Sequence, residues 1–169
     1  NNNQIISKLY SNDGNGNFSE VSGTPFDPVR ESYIAFADVD GDNDQDVLIT
    51  GYNGSLRISK LYSNDGNGNF TKVLGTPFHG VDYGSVAFAD VDGDNDQDVL
   101  ITGRNNSYQP GISRLYTNDG NGNFTVVSGT PFDELEYTSI AFADVDGDND
   151  QDVLITGGSS TGPISKLYS

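Results

Sequence analysis

Short apolar stretches of about five residues alternate with polar, glycine-rich segments along the whole chain, and no stretch keeps helical apolar spacing over three turns. The stretches are rich in Val, Ile, Phe, Tyr and Thr, which suit a pleated, half-buried surface. In the middle of the chain the pattern predicts strands over residues 85–89, 98–102, 112–116 and 124–127. Clusters of Gly, Asn, Asp and Pro separate them and supply the backbone freedom that tight turns need. The expected fold class is therefore all-β, with units of four short antiparallel strands.

The units repeat. The string AFADVDGDNDQDVLITG stands unchanged at residues 35–51, 87–103 and 141–157. NDGNGNF stands at 12–18, 64–70 and 118–124, and GTPF follows each time, ending at Phe26, Phe78 and Phe132. Units of this length with four strands suggest propeller blades. The chain is out of phase with them: a half-blade over 1–26, full blades over 27–78 and 79–132, and a partial blade over 133–169. Strands are expected at 5–10 and 18–21 in the half-blade, and at 138–143, 152–156 and 164–168 in the partial one. That last segment duplicates the third strand already present at Ser7 to Tyr10. Three blades do not close a ring, and open ends expose apolar faces and strand edges. Self-association is expected, most simply as a homodimer completing six blades.

Charge sharpens the picture. The 169 residues carry 25 acidic and 8 basic side chains, a net of −17. Fifteen of the acids lie in the three repeated strings, so the remainder is nearly neutral. Nucleic acid is not an expected partner, because phosphate binding needs clustered Lys and Arg. Absence of Cys removes disulfides, thiolate metal sites and a Cys nucleophile, and a single histidine, His79, leaves little room for a Ser-His triad or a His-rich zinc site. No apolar run approaches the roughly 20 residues of a membrane helix, and no signal peptide is visible. The start Asn1-Asn2-Asn3 and the absence of Met suggest a processed chain or a fragment.

In the first string, Asp38, Asp40, Asp42, Asp44 and Asp46 place five carboxylates within nine residues, which repel unless a cation sits among them. The second string has Asp90, Asp92, Asp94, Asp96 and Asp98, and the third Asp144, Asp146, Asp148, Asp150 and Asp152. Hard oxygen donors on a flexible loop suit calcium. An EF-hand does not fit, because its twelfth position would fall on Ile49 or Gly51 rather than a bidentate Glu, and the flanks are strands.

The loop Asp-x-Asp-x-Asp-x-x-x-Asp followed by an apolar strand, with Leu-Tyr-x-Asn-Asp-Gly-x-Gly-x-Phe beside it, resembles the FG-GAP/VCBS repeats of calcium-binding propellers, including the integrin α-subunit head. The resemblance implies calcium, about three ions per chain, in the loop joining strands one and two. It implies side-chain ligands at loop positions 1, 3, 5 and 9 and a backbone carbonyl at position 7: Asp38, Asp40, Asp42, Asp46 and the Asp44 carbonyl in the first copy, with the matching residues in the others. Position 6, a left-handed glycine in that family, is Asn43, Asn95 and Asn149 here, and Asn tolerates that conformation best after Gly. The Asn-Asp-Gly-Asn-Gly-Asn loops are a weaker second metal candidate, since their composition already suits a hairpin.

In an antiparallel blade the acidic and Asn-Gly loops share one face, and the loops that differ among copies share the other. That second face carries Arg30, Tyr52, Tyr83, Arg104, Tyr108 and Tyr137, residue types common as binding anchors. The function expected from this reading is a non-enzymatic, calcium-stabilised interaction or adhesion module of a secreted or cell-surface protein, with a protein or glycan ligand on the variable face. A lectin-like propeller and an engineered or fragmentary repeat scaffold are the alternatives. Enzymatic use of the carboxylates is disfavoured, because a metal would occupy them and an active site rarely needs three copies.

Overall fold

The computed structural model describes residues 4–106 and 111–169. Among these residues it is all-β: thirteen strands in four antiparallel sheets. A hairpin of β1 (Leu9–Asn12) and β2 (Phe18–Val21) comes first. The first full blade follows, with β3 (Arg30–Ala37), β4 (Asp46–Tyr52), β5 (Arg57–Asn64) and β6 (Phe70–Lys72) side by side in chain order. The second repeats it with β7 (Asp82–Ala89), β8 (Asp98–Arg104), β9 (Ile112–Asn118) and β10 (Phe124–Val126). The last sheet has three strands, β11 (Glu136–Ala143), β12 (Asp152–Ser159) and β13 (Gly162–Tyr168). The first strands β3, β7 and β11 lie next to one another, so the sheets stack face to face like the blades of a propeller.

Strand alternation assigns each blade two apolar faces. On one, Val47, Ile49 and Tyr62 pack with Phe26 and Phe70, toward the preceding hairpin. On the other, Ala37, Val39, Leu48 and Leu61 pack against Val86 and Phe88 of the second blade. The next interface sets Leu100 and Leu115 against Ile140 and Phe142. Leu48, Leu61 and Leu100 are fully buried, and each such side chain contributes about 1.5–3 kcal/mol. Edge-on aromatic pairs close the rim of each interface: Phe26 with Tyr62, Phe78 with Tyr116 and Phe132 with Tyr168, all with centroids 5.0–5.1 Å apart.

Two departures from the sequence pattern have physical causes. The strand expected over 5–10 is observed at Leu9–Asn12. Its equivalents β5 and β9 pair along their inner edge with β4 and β8, and the hairpin has no such neighbour to hold residues 5–8 extended. The first strands start earlier than expected, because each contains a bulge between its first residue and the regular ladder. At the bulge Glu31, Tyr83 and Tyr137 take positive φ of 52°, 48° and 53°, an uncommon conformation for these residue types. The bulge presses on the second strand. A Cβ on Gly103 would stand 2.8 Å from the Gly84 Cα and 2.9 Å from the Asp82 carbonyl oxygen, which accounts for the glycine ending that acidic string.

Candidate metal centre

Each acidic loop is built by its own carboxylates. In the first blade, one Asp38 oxygen accepts the Gly41 N–H at 2.8 Å and the other accepts the Asn43 N–H at 2.9 Å. This ties a tight turn in which Asn43 adopts a φ of 68°. Asp42 accepts the Asp44 N–H at 2.9 Å. Asp46, the first residue of β4, is fully buried and accepts the Val39 N–H at 3.0 Å and the Asn64 N–H at 2.8 Å. It thereby fastens the loop to the end of the third strand. Asp90 and Asp98 reproduce this pattern in the second blade. In the third, Asp144 accepts from Gly147 and Asn149, and Asp152 from Val145. Asn95 and Asn149 share the left-handed φ, at 72° and 74°.

The turn aims carboxylate oxygens at a common point. Oxygens of Asp38, Asp40 and Asp42 lie within 4.8 Å of one another, as do those of Asp90, Asp92 and Asp94. In the third loop the group is Asp144, Asp146 and Asp152. Such an arrangement is electrostatically uphill without a cation. Burial, then the neighbouring Asp42, pushes the Asp40 carboxyl above its ordinary pKa, and burial does the same to Asp46 and Asp98. In the third loop Asp148 raises Asp146. One oxygen of Asp40, a member of the first cluster, is buried with no hydrogen-bond partner. A buried acceptor among convergent carboxylates, without soft donors, fits a hard cation such as calcium.

Asp44 and Asp96 have a further neighbour. A Cβ on Gly66 would collide with the Asp44 carboxylate, and one on Gly120 with that of Asp96. The acidic and Asn-Gly loops of a blade therefore touch on one face. Successive blades touch there too, because the Asn118 amide donates to the Val39 carbonyl at 2.8 Å. The Asn-Gly loops satisfy themselves: Asp13, Asp65 and Asp119 accept backbone N–H groups two and four residues on, and the Asn17, Asn69 and Asn123 side chains hold their pKa values low. That is turn chemistry.

The opposite face holds a groove of about 400 Å³ that brings together Arg30, Tyr52, Tyr83 and Arg104. Arg30 lies 5.1 Å over the Tyr52 ring and Arg104 4.5 Å over Tyr83. Tyr137 meets Tyr83 with ring centroids 5.0 Å apart and the rings tilted by 52°. Tyr108 lies outside the described residues. Sequence reasoning missed Asp82, which is buried and accepts from Arg57 at 2.8 Å and from Arg104 at 3.0 Å. It also missed the positive-φ bulge at Tyr83 and Tyr137. The one available signal was the glycine repeated at the end of each string.

Comparison with curated proteins finds no match. The model of the FG-GAP-like repeat matches three times, over residues 1–49, 38–101 and 90–155. Each match reaches across the boundary between successive blades, and every acidic loop falls within at least one of them. With nearly the whole chain covered, the protein belongs to the FG-GAP-like repeat family.

Proposed function

We propose that this propeller-like repeat module is a non-enzymatic interaction module of a secreted or cell-surface protein, stabilised by calcium in its three acidic loops. The observation that carries the reading is the convergence of three carboxylates in each loop, one with a buried unpartnered oxygen in the first. Asp38, Asp40, Asp42, Asp90, Asp92, Asp94, Asp144, Asp146 and Asp152 would supply oxygens to the ion. Bound calcium neutralises the cluster and locks the turn between the first two strands of each blade. Three ions would bring the formal charge from −17 to about −11. Free calcium at the level of extracellular fluids suits sites of this kind, which supports a location outside the cell. Direct titration with calcium tests the reading. About three ions per chain are expected, falling to two in an Asp92→Asn, Asp94→Asn variant. Absence of binding at millimolar calcium would contradict it.

The ligand of such a module would sit on the variable face. The tilted Tyr83–Tyr137 pair flanked by Arg104 favours a ligand with a flat apolar face and an acidic or hydroxyl-rich edge, as in a glycan or a protein loop. Binding on a glycan array that disappears in Tyr137→Ala would support a glycan, and a blank array would remove it.

A further inference from the structure

The exposed large apolar side chains are distributed by a rule. Ile34 of β3 is 57% exposed and Phe36 is also exposed, whereas their repeat equivalents Val86 and Phe88, and Ile140 and Phe142, are packed against a preceding blade. At the other end Leu154 of β12 is 44% exposed, whereas its equivalents Leu48 and Leu100 are fully buried against a following blade. Val145 is exposed where Val39 is buried. The last sheet thus presents the apolar set that, inside the molecule, covers the set presented by the first blade.

The hairpin shows the same mismatch on its outer face. Phe18 is 66% exposed, whereas its equivalent Phe124 is 8% exposed and meets Phe78. Tyr10 is exposed where Tyr62 and Tyr116 are buried. The equivalent rim partner for Tyr10 and Phe18 is Phe132, which leads into the last sheet and there meets Tyr168. Residues 6–11 and 164–169 carry one sequence, Ile-Ser-Lys-Leu-Tyr-Ser. β12 therefore has two candidates for its outer neighbour: its own β13, paired as Leu154 with Leu167 and Thr156 with Ser165, and residues 6–11 of another copy in the same register.

We propose that two copies of this chain associate by strand exchange, the β1–β2 hairpin of each replacing β13 on β12 of the other. This goes beyond the calcium reading and rests only on the blade architecture. The exchanged blade has β11 and β12 from one copy and β1 and β2 from the second, four strands in all. Every contact of residues 164–169 is remade by an identical residue: the second copy's Lys8 and Tyr10 take the places of Lys166 and Tyr168 on Asp133. The exchange adds what β13 cannot. The second copy's Phe18 reaches Phe132, its Ile34 and Phe36 are covered by Val145 and Leu154, and its Asn12 N–H reaches Asp152 as Asn64 and Asn118 reach Asp46 and Asp98. Retaining β13 would keep the second copy's β1–β2 hairpin off β12, leaving Phe18 away from Phe132 and the Asn12 N–H away from Asp152. Two reciprocal exchanges close six blades and cover both end faces, releasing residues 162–169 of each copy from β12.

The chain has no cysteine, so introduced pairs report cleanly. The mass of the 169-residue chain is measured by light scattering in calcium, alongside oxidised Ser7→Cys, Thr156→Cys and Thr156→Cys, Ser165→Cys double variants. Expected are a mass twice 18.1 kDa, a covalent two-chain species from the first pair and little intrachain bond from the second. In Phe18→Ser the exposed hairpin loses its anchor, and the dissociation constant should rise at least tenfold. A folded, calcium-responsive chain of 18.1 kDa overturns association while leaving the calcium reading intact. A larger open assembly overturns the closed pair. A two-chain mass with the bond formed only in the second pair overturns the exchange.

Discussion

At the residue scale, the aspartates of the second blade divide into two kinds. Asp98 is buried and accepts two backbone N–H groups that hold the loop to the third strand, while Asp92 and Asp94 point into the carboxylate cluster. Removing Asp98 strands two donors, and hydrogen bonds to a charged group are worth about 1.5–3 kcal/mol each. Asp98→Ala should therefore destabilise the chain by roughly 2–4 kcal/mol even in chelator. Asp92→Asn should leave chelator stability unchanged or slightly raised and lose part of the calcium response. Denaturant unfolding with and without calcium separates the two. Asp27 gives a pH handle. Burial raises its pKa, but the Lys60 ammonium and the Tyr62 hydroxyl more than offset this, so the carboxyl lies below its ordinary value. A depressed carboxyl contributes stability that is present above its unfolded pKa, about 3.9, and is lost as pH falls through the folded value. Asp27→Asn should be less stable than the parent at neutral pH, with the gap closing below about pH 4. A gap independent of pH would contradict this ion pair.

At the scale of the element, the ladder and turns were legible because the period-2 pattern and the Gly/Asn clusters act locally. β4 and β8 begin at the aspartate that ends each acidic loop, as the apolar run from Val47 and Val99 implies. The left-handed turn at Asn43, Asn95 and Asn149 was legible for the same reason, since few side chains tolerate it. The bulge in β3, β7 and β11 was not. A glutamate at 31 and tyrosines at 83 and 137 take the same backbone, and neither type favours positive φ, so what fixes it is the neighbouring strand rather than their own preference. Glycine substitutions test this. Gly103→Ala meets the Gly84 Cα and the Asp82 carbonyl and has a φ of 141°, and should cost about 2–4 kcal/mol. Gly68→Ala, at a φ of 81° with open space around the Cβ, should cost only about 1 kcal/mol. Equal losses would show that the close approach at the bulge does not matter.

At the scale of the molecule, the carboxylates that make the chain acidic are concentrated in three clusters that carry the calcium reading. Three clusters of like charge sit at the turns that register the first two strands of every blade. The blade cores between them are ordinary: leucines and valines from one sheet meet valines, isoleucines and phenylalanines of the next. Repetition was fully legible in the sequence, whereas the fate of the end faces depends on contacts that no single repeat contains. The whole-molecule expectation follows from mass action. A ligand at one hundred times its dissociation constant adds about 2.7 kcal/mol per site, and each kcal/mol moves the midpoint of a chain this size by roughly 2–4 °C. The direct measurement is thermal unfolding in a calcium series against chelator. Calcium binding at three loops requires a midpoint that rises with calcium concentration, by on the order of 15 °C or more at saturation. A midpoint that is the same in millimolar calcium and in chelator would contradict the account.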